Sequence, residues 1–455
     1  MDTPLLYRLT RSLVHLAVGV YFRKLEVACA EPIPQGPAIF AANHPQSVTD
    51  ALVLGLATER MVHYLAHSGM FENRVRAWFL RQSGVIPVYR RADAGESVAR
   101  NVDMFSECRR VMQRGGALGI FPEGVSADLP RLQKLKTGTA RIALESEAAN
   151  DWTLGVAIVP VGLHFESRRF RSRVLVRFGP QIQVLDQRAA YVEDPVETVH
   201  QVTSTLEDAI RGLVVELSHT EFEQFVRDVE EVYRSELLDR PELPIPGDSR
   251  LQREQWVSRE IPRALDYFRK EDPRTIERLA RSLRNHQRKL RRFRLQDAML
   301  KEQDRSVRGE GLRWAVLGAL GLPVAAYGVV WNYVPYKLTG WFADRLVREE
   351  TKRHFAQLSV GTLLYLLYYP LLLLLAYRVL EPLATVLFAV SLPLSGFFAR
   401  AYARWSVRRR RMLRLAFLEL TNAWLLGKLR RQRQQLVAQL DAALAEYLRA
   451  RSSST

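Results

Sequence analysis

Three uncharged apolar stretches in the second half of this 455-residue chain constrain its folding more than any other feature. Trp314 to Val334 holds 21 residues without a charge, Ala356 to Tyr377 holds another 22, and after a break at Arg378–Pro382 an apolar run continues from Leu383 to Ala399. A hydrocarbon layer about 30 Å thick needs roughly 20 such residues in a helix, so these lengths predict membrane segments. Cationic clusters lie before the first stretch (281–313), between the first two (Lys337 to Arg353) and after the last (Arg400 to Arg414). Three simple spans would put those clusters on opposite sides, against the tendency of cationic loops to stay inside. The topology that reconciles them makes the second and third stretches a hairpin, with Arg378–Glu381 outside. The first stretch, broken at Pro323, then becomes a re-entrant or interfacial element.

The net charge of +17 is concentrated in the same half: residues 1–220 carry 25 basic and 23 acidic side chains, residues 221–455 carry 41 and 26. Such an excess suits nucleic acid or an anionic membrane face. Because the arginines flank apolar segments, a membrane is the expected partner and nucleic acid is not. The two cysteines, Cys29 and Cys108, support neither a disulfide framework nor a structural metal, which fits a reducing compartment. No metal site is expected from His63 and His67 either, since "VHYLAH" alternates like a strand and lacks a third ligand. Cys108, beside Arg109 and Arg110, reads as a buried or bystander thiol rather than a reactive one.

Residues 4–22 place apolar groups around most of a helix, with Arg8 and Arg11 near one end. This predicts a membrane-surface helix (1–25), with packing on the domain core as the alternative. Arg23, Lys24 and Glu26 interrupt the run before the "ACA" at 28–30, so secretion is not expected. From 36 to 180, β-like runs such as "AIFAA", "VIPVY", "ALGIF" and "VAIVPVGL" alternate with helical periods. The pattern predicts an α/β domain over 26–239 with a central mixed, mostly parallel sheet flanked by helices. "RPELPIPGD" (240–248) marks a boundary. Beyond it lie a basic helical region (249–310), the apolar segments (311–400) and basic amphipathic C-terminal helices (401–455). In the last of these, the stripe of "LVAQLDAALAEYL" is expected to pack on the membrane region or on a partner helix.

The chemistry-bearing stretch is "NHPQSVTD", Asn43 to Asp50, where a strand hands over to a helix. On a continuous helix six residues would turn Asp50 about 120° away from His44, so the chain must bend between them. Pro45 and Ser47 supply that bend, and "SVTD" has the form of a capping box with Ser47 as N-cap and Asp50 at N3. One reading is therefore a plain helix cap. The other returns the Asp50 carboxylate to the His44 ring, fixing its tautomer while the opposite nitrogen acts as base.

Three later segments bear on that choice. "SGVIPVYRR" is a strand ending in a basic pair. "GIFPEGVSAD" puts a carboxylate and a flexible glycine at a strand terminus, and "LQKLKTGTARIALE" sets Lys134 and Lys136 beside a helix start suited to phosphate. "IVPVGLHF" is an apolar strand whose proline and glycine mark an edge or strand end.

In order and character these segments resemble the four blocks of the glycerol-3-phosphate and lysophosphatidate acyltransferase superfamily, the PlsC-like family. "NHPQSVTD" is similar to block one, "GVIPVYR" to block two, "FPEGVS" to block three and "VPVG" to block four, over roughly residues 20–220. The commonest block one has four residues between His and Asp, whereas five separate His44 from Asp50 here. That longer form resembles a branch containing some glycerol-phosphate and dihydroxyacetone-phosphate acyltransferases.

The resemblance implies a membrane-bound O-acyltransferase in phospholipid synthesis, its active site facing the cytoplasm. His44 would take the proton from an acceptor hydroxyl and Asp50 would orient it, with acyl-CoA or acyl-carrier protein as donor and no further cofactor. The acceptor would be glycerol-3-phosphate or a lysophospholipid. Arg90 would recognise its phosphate, and Glu123, Gly124 and Ser126 of block three would contact it. Lys136 joins the substrate-binding set from its position alone. The competing class is a non-catalytic, membrane-anchored lipid-binding protein with the same fold.

Overall fold

The computed structural model describes residues 5–29, 31, 33–88, 97–126, 132–166, 170–214, 223–240, 245–247, 249–293, 295–301, 307–347 and 350–452. The chain forms two compact units, one comprising residues 1–216 with 343–359, the other 217–342 with 360–455.

In the first unit α1 (Leu5–Tyr21) leads into β1 (Lys24–Cys29), β2 (Ala38–Ala42), α2 (Val48–Ala57), β3 (Val62–His67), α3 (Arg74–Gln82), β4 (Ile86–Val88) and α4 (Ser97–Gln113). There follow β5 (Ala117–Ile120), α5 (Gly138–Ala148), β6 (Ala157–Phe165), β7 (Arg173–Phe178), β8 (Ile182–Gln183), α6 (Arg188–Glu193) and α7 (Pro195–Leu213). The eight strands form one sheet in the order β1-β7-β6-β2-β5-β3-β4, with β8 added against β6. It is mixed and mostly parallel: β6 runs antiparallel to β7 and β8, and the other pairs are parallel.

Strand β2 lies between β5 and β6 and all five of its residues are buried, with core layers on both faces, so "AIFAA" reads as an unbroken apolar run. Its side chains alternate. Ile39 and Ala41 enter the layer packed against Met112 of α4, Leu144 of α5 and Leu206 of α7. Ala38, Phe40 and Ala42 enter the opposite layer with Val18 of α1 and Leu54 of α2. Because β2 and β5 are parallel and in register, the residues that follow them, Asn43 onward and Phe121 onward, emerge at one carboxyl edge.

Strand β6 departs from expectation. Despite Pro160 and Gly162 it is an interior strand, paired with β2 on one side and with β7 and β8 on the other. The reason is local: β8 pairs Ala157–Ile158 and β7 pairs from Val161 onward, so Pro160, which has no N–H, falls in the gap between them. A Cβ at Gly162 would collide with the Leu213 backbone, so the glycine permits the end of α7 to lie against the sheet. Helix α1 packs on the core, since Val18 and Tyr21 are buried, while Leu9, Leu13, Leu16 and Val20 remain exposed on its other face.

The second unit is helical: α8 (Glu223–Leu238), α9 (Arg250–Glu271), α10 (Pro273–Arg292), α11 (Asp297–Lys301), α12 (Val307–Leu346), α13 (Glu350–Tyr377), α14 (Pro382–Thr421) and α15 (Ala423–Ser452). The ends of α12 and α13 nearest each other belong to the first unit. The boundary differs from that read at 240–248. Helix α8 buries Val229, Val232 and Tyr233 against Val257 of α9, Leu283 of α10 and Leu436 of α15, so the chain divides before α8 rather than after it. The stripe at 436–448 is thereby spent on helices of its own unit.

Among the described residues, three helical stretches are long and apolar enough to cross a membrane: Val316–Leu346, Phe355–Tyr377 and Pro382–Val407. The expected break at Pro323 is not found, and α12 continues through both Pro323 and Pro335. A proline in an apolar helix forfeits one backbone bond, a loss that close neighbours in such a region tolerate. The neighbours here are close. A Cβ on Gly328 would meet the Ser395 carbonyl of α14, and the Asn332 amide donates to the Leu392 carbonyl at 3.2 Å while accepting from the Tyr369 hydroxyl of α13 at 2.7 Å.

Candidate active site

Residues 43–50 carry the chain from the end of β2 into α2. Asn43 anchors the departure: its amide accepts from the Leu163 N–H at 2.7 Å and donates to the Leu163 carbonyl at 3.2 Å. The next residue, His44, bends back as anticipated, and its Nδ1 lies 2.9 Å from Asp50 Oδ2. The same carboxylate oxygen accepts the Gln46 N–H at 2.7 Å. Asp50 is completely buried, whereas the His44 side chain is 18% exposed, so the pair has a dry end and an accessible end. The His44 ring stacks on Phe121 at 4.0 Å between centroids with 14° between planes, which fixes the plane of the imidazole.

Ser47 stands at the N-cap of α2, but its side chain makes no cap bond, so the capping box does not form. Its φ of 54° is a left-handed value that is costly for a residue other than glycine. The Ser47 N–H instead donates to Ser126 Oγ at 3.0 Å, and Ser126 donates onward to the His44 carbonyl at 3.1 Å. The bend is thus held by a residue 79 positions downstream rather than by local capping.

Glu123, also buried, joins the segments. One carboxylate oxygen accepts the His44 N–H at 2.8 Å and the other accepts the Gln133 N–H at 3.0 Å. Gly124, at φ +70°, completes a turn closed by its own N–H on the Phe121 carbonyl at 3.0 Å. A Cβ there would run into the Lys136 side chain, so the lysine lies across the glycine just ahead of α5. Replacing Gly124 with alanine adds a left-handed strain of about 1–2 kcal/mol and displaces Lys136. A lowered melting temperature for Gly124→Ala is expected by calorimetry, and an unchanged one would contradict this packing.

Burial raises the carboxyl pKa of Asp50 to about 6, opposed by its bond to His44. Burial also raises that of Glu123, opposed by the Gln133 and His44 N–H groups. The structure therefore brings His44, Asp50, Glu123, Gly124, Ser126 and Lys136 to one edge of the sheet. Arg90 lies outside the described residues, two positions beyond the end of β4. Asn43, next to His44, and Phe121, two residues before Glu123, are not singled out by the sequence. His63 Nδ1 lies 3.1 Å from the Gly84 carbonyl and His67 Nδ1 accepts the Gly69 N–H at 3.1 Å. Cys108 is buried beside Met104, and burial raises its thiol pKa to about 12.

Residues 24–164, which hold His44, Asp50 and the Phe121–Gly124 turn, match the family model described as Acyltransferase. Over those residues the chain is similar to the acyltransferase family. Part of the chain is similar to glycerol-3-phosphate O-acyltransferase 2 of Saccharomyces cerevisiae, 38% identical over 113 residues, covering 24% of this chain and 15% of that relative. Glycerol-3-phosphate O-acyltransferase 1 of the same yeast is 26% identical over 211 residues, covering 45% and 26%. The matched stretches thus span about a quarter or less of those relatives' own lengths. Among solved structures, the 1-acyl-sn-glycerophosphate acyltransferase PlsC from Thermotoga maritima aligns over 44% of this chain and 79% of its own, with 18% identity and a TM-score of 0.30. Within the matched residues, the His44–Asp50 contact and the Phe121–Gly124 turn occupy adjoining loops at the carboxyl edge.

Proposed function

We propose that this protein is a membrane-bound O-acyltransferase that moves a fatty acyl group from acyl-CoA or acyl-carrier protein to a hydroxyl of glycerol-3-phosphate or a lysophospholipid. The observation that carries the reading is the 2.9 Å contact between a buried carboxylate and a partly exposed imidazole inside the stretch that matches the acyltransferase family. Asp50 holds the proton on His44 Nδ1, which leaves Nε2 as the base. Nε2 takes the proton of the acceptor hydroxyl as its oxygen bonds to the thioester carbonyl carbon. The tetrahedral intermediate then collapses, the C–S bond breaks, and the imidazolium returns the proton to the departing thiolate. In this reading no covalent acyl-enzyme forms, and no cofactor is used beyond the thioester itself.

The acceptor assignment draws on the printed names of the yeast relatives and on the cations at the edge. Arg90 follows a strand parallel to β3 and is assigned the acceptor phosphate, with Lys136 assisting from across Gly124. Glu123, Gly124 and Ser126 shape the acceptor side, Glu123 by holding the His44 and Gln133 backbones in place. The three apolar helices anchor the chain, and the exposed leucines of α1 lie on the membrane surface, with the active site toward the cytoplasm.

The test is an acceptor panel with purified protein and one long-chain acyl-CoA, reading thiol release. Release that depends on a phosphorylated acceptor is expected. Arg90→Ala should raise KM for that acceptor roughly 10- to 100-fold, the loss of a charge-assisted bond, with a smaller change in kcat. Equal use of unphosphorylated glycerol by the unaltered protein would remove the phosphate role, and thiol release indifferent to every acceptor would remove the transferase reading.

A further inference from the structure

The bundle of α8, α9, α10 and α15 forms a partly open cavity of about 360 Å³ that the proposed chemistry does not use. Its walls are apolar apart from Tyr233, Glu260 and Arg451, and along α9 they include Trp256, Ile261, Ala264 and Phe268. The stretch from Trp256 to Phe268 covers roughly 18 Å of helix axis. The lining thus extends over a length comparable to that of a fatty acyl tail. Protein interiors seldom hold voids larger than a water molecule, and an apolar cavity admits apolar ligands rather than ordered water.

The polar side of the cavity has a definite charge pattern. The buried Glu260 carboxylate accepts from Arg263 at 2.9 Å, from Arg451 at 2.7 Å and from the Tyr447 hydroxyl at 3.1 Å, so two guanidiniums gather around one carboxylate. Both arginines are about half exposed, at 47% and 50%. Residues 221–455 as a whole carry 41 basic and 26 acidic side chains. A neutral or cationic head group finds little here, and an anionic one is complementary.

We propose that this cavity binds the aliphatic chain of a single-chain anionic lipid, with its carboxylate or phosphate at Arg263 and Arg451. The proposal rests on the cavity's own residues and not on the acyl-transfer reading.

The experiment uses the full chain in phosphatidylcholine nanodiscs, exposed to diazirine-bearing palmitate, lysophosphatidate or monoacylglycerol, with labelled peptides mapped by mass spectrometry. Both anionic probes should label α9 and α15, and the neutral probe far less. Ala443→Trp, which adds bulk at the cavity wall, should cut that labelling about tenfold while leaving labelling of α12–α14 as it was. Ala264→Phe serves as a second filler if the first variant is not monodisperse. Equal labelling by the neutral probe, labelling indifferent to both fillers, or labelling confined to α12–α14 would each overturn the proposal. No turnover is read, so failure here and failure of the acyl-transfer reading are separate results.

Discussion

Replacing His44 with alanine is expected to lower acyl transfer by on the order of 10²–10⁴-fold, the usual worth of a positioned base. The fold should survive. His44 is partly exposed, and its backbone N–H, which binds Glu123, is retained in the variant. Asp50 keeps the Gln46 N–H on the same oxygen. What is lost is the stack on Phe121 and the ring that would take the acceptor proton. Thiol release from acyl-CoA, measured on variant protein that still sediments with membranes and melts near the parent temperature, is the check. Turnover like that of the parent would remove His44 from the mechanism.

Asp50→Asn separates activity from stability. Because Oδ2 alone serves both the Gln46 N–H and His44 Nδ1, an asparagine keeps both bonds with its amide oxygen in that place, but it lacks the negative charge that stabilises the imidazolium formed as the base takes its proton. A loss on the order of 10²–10⁴-fold in kcat is expected, as for other orienting carboxylates. Stability should move the other way. Burial raises the folded-state pKa of Asp50 to about 6, above that of an unfolded aspartate. As pH falls through about 6 the folded state takes up a proton before the unfolded state does, and it gains stability. Above that pH the charged carboxylate carries its burial penalty. At neutral pH the variant should therefore melt at or above the parent temperature, with the gap closing as pH drops below about 6. Parent activity should decline over the same interval as Asp50 becomes neutral. A variant that melts well below the parent at pH 7 would contradict this assignment of the burial cost.

The parts of the site legible in the sequence were those set by local stereochemistry. A spacing of six positions from His44 to Asp50, with a proline and a serine between them, required a bend, and the bend returned the carboxylate to the ring. The parts that were not legible depend on partners far along the chain. Ser47 reads as a cap, yet its N–H is claimed by Ser126, and this tertiary bond holds a backbone angle that no local rule favours. Pro160 reads as an edge residue because proline breaks a ladder, but whether the ladder needs that N–H depends on where two other strands end. Helix α8 reads as the close of the first domain because a proline-rich segment follows it. Its apolar face is nevertheless met by α9, α10 and α15. Phe121 carried a usable signal, an aromatic residue at the strand end just before Pro-Glu-Gly, and it is the one that sets the imidazole plane.

The two bonds between the Asn43 side chain and Leu163 have the form of a rung in the sheet, supplied by an amide side chain in place of a peptide. A strand that stops pairing normally leaves a backbone donor and acceptor of its neighbour to be satisfied elsewhere. Here the surrogate rung satisfies both, so the main chain can leave the sheet at the residue just before the histidine without orphaning β6. Only an amide of this length offers one donor and one acceptor at that reach, and aspartate in its place would set a second acceptor against the Leu163 carbonyl. The identity of residue 43 is thus dictated by carpentry at the end of a strand, and an asparagine invariably found beside the base would be no sign that it touches substrate.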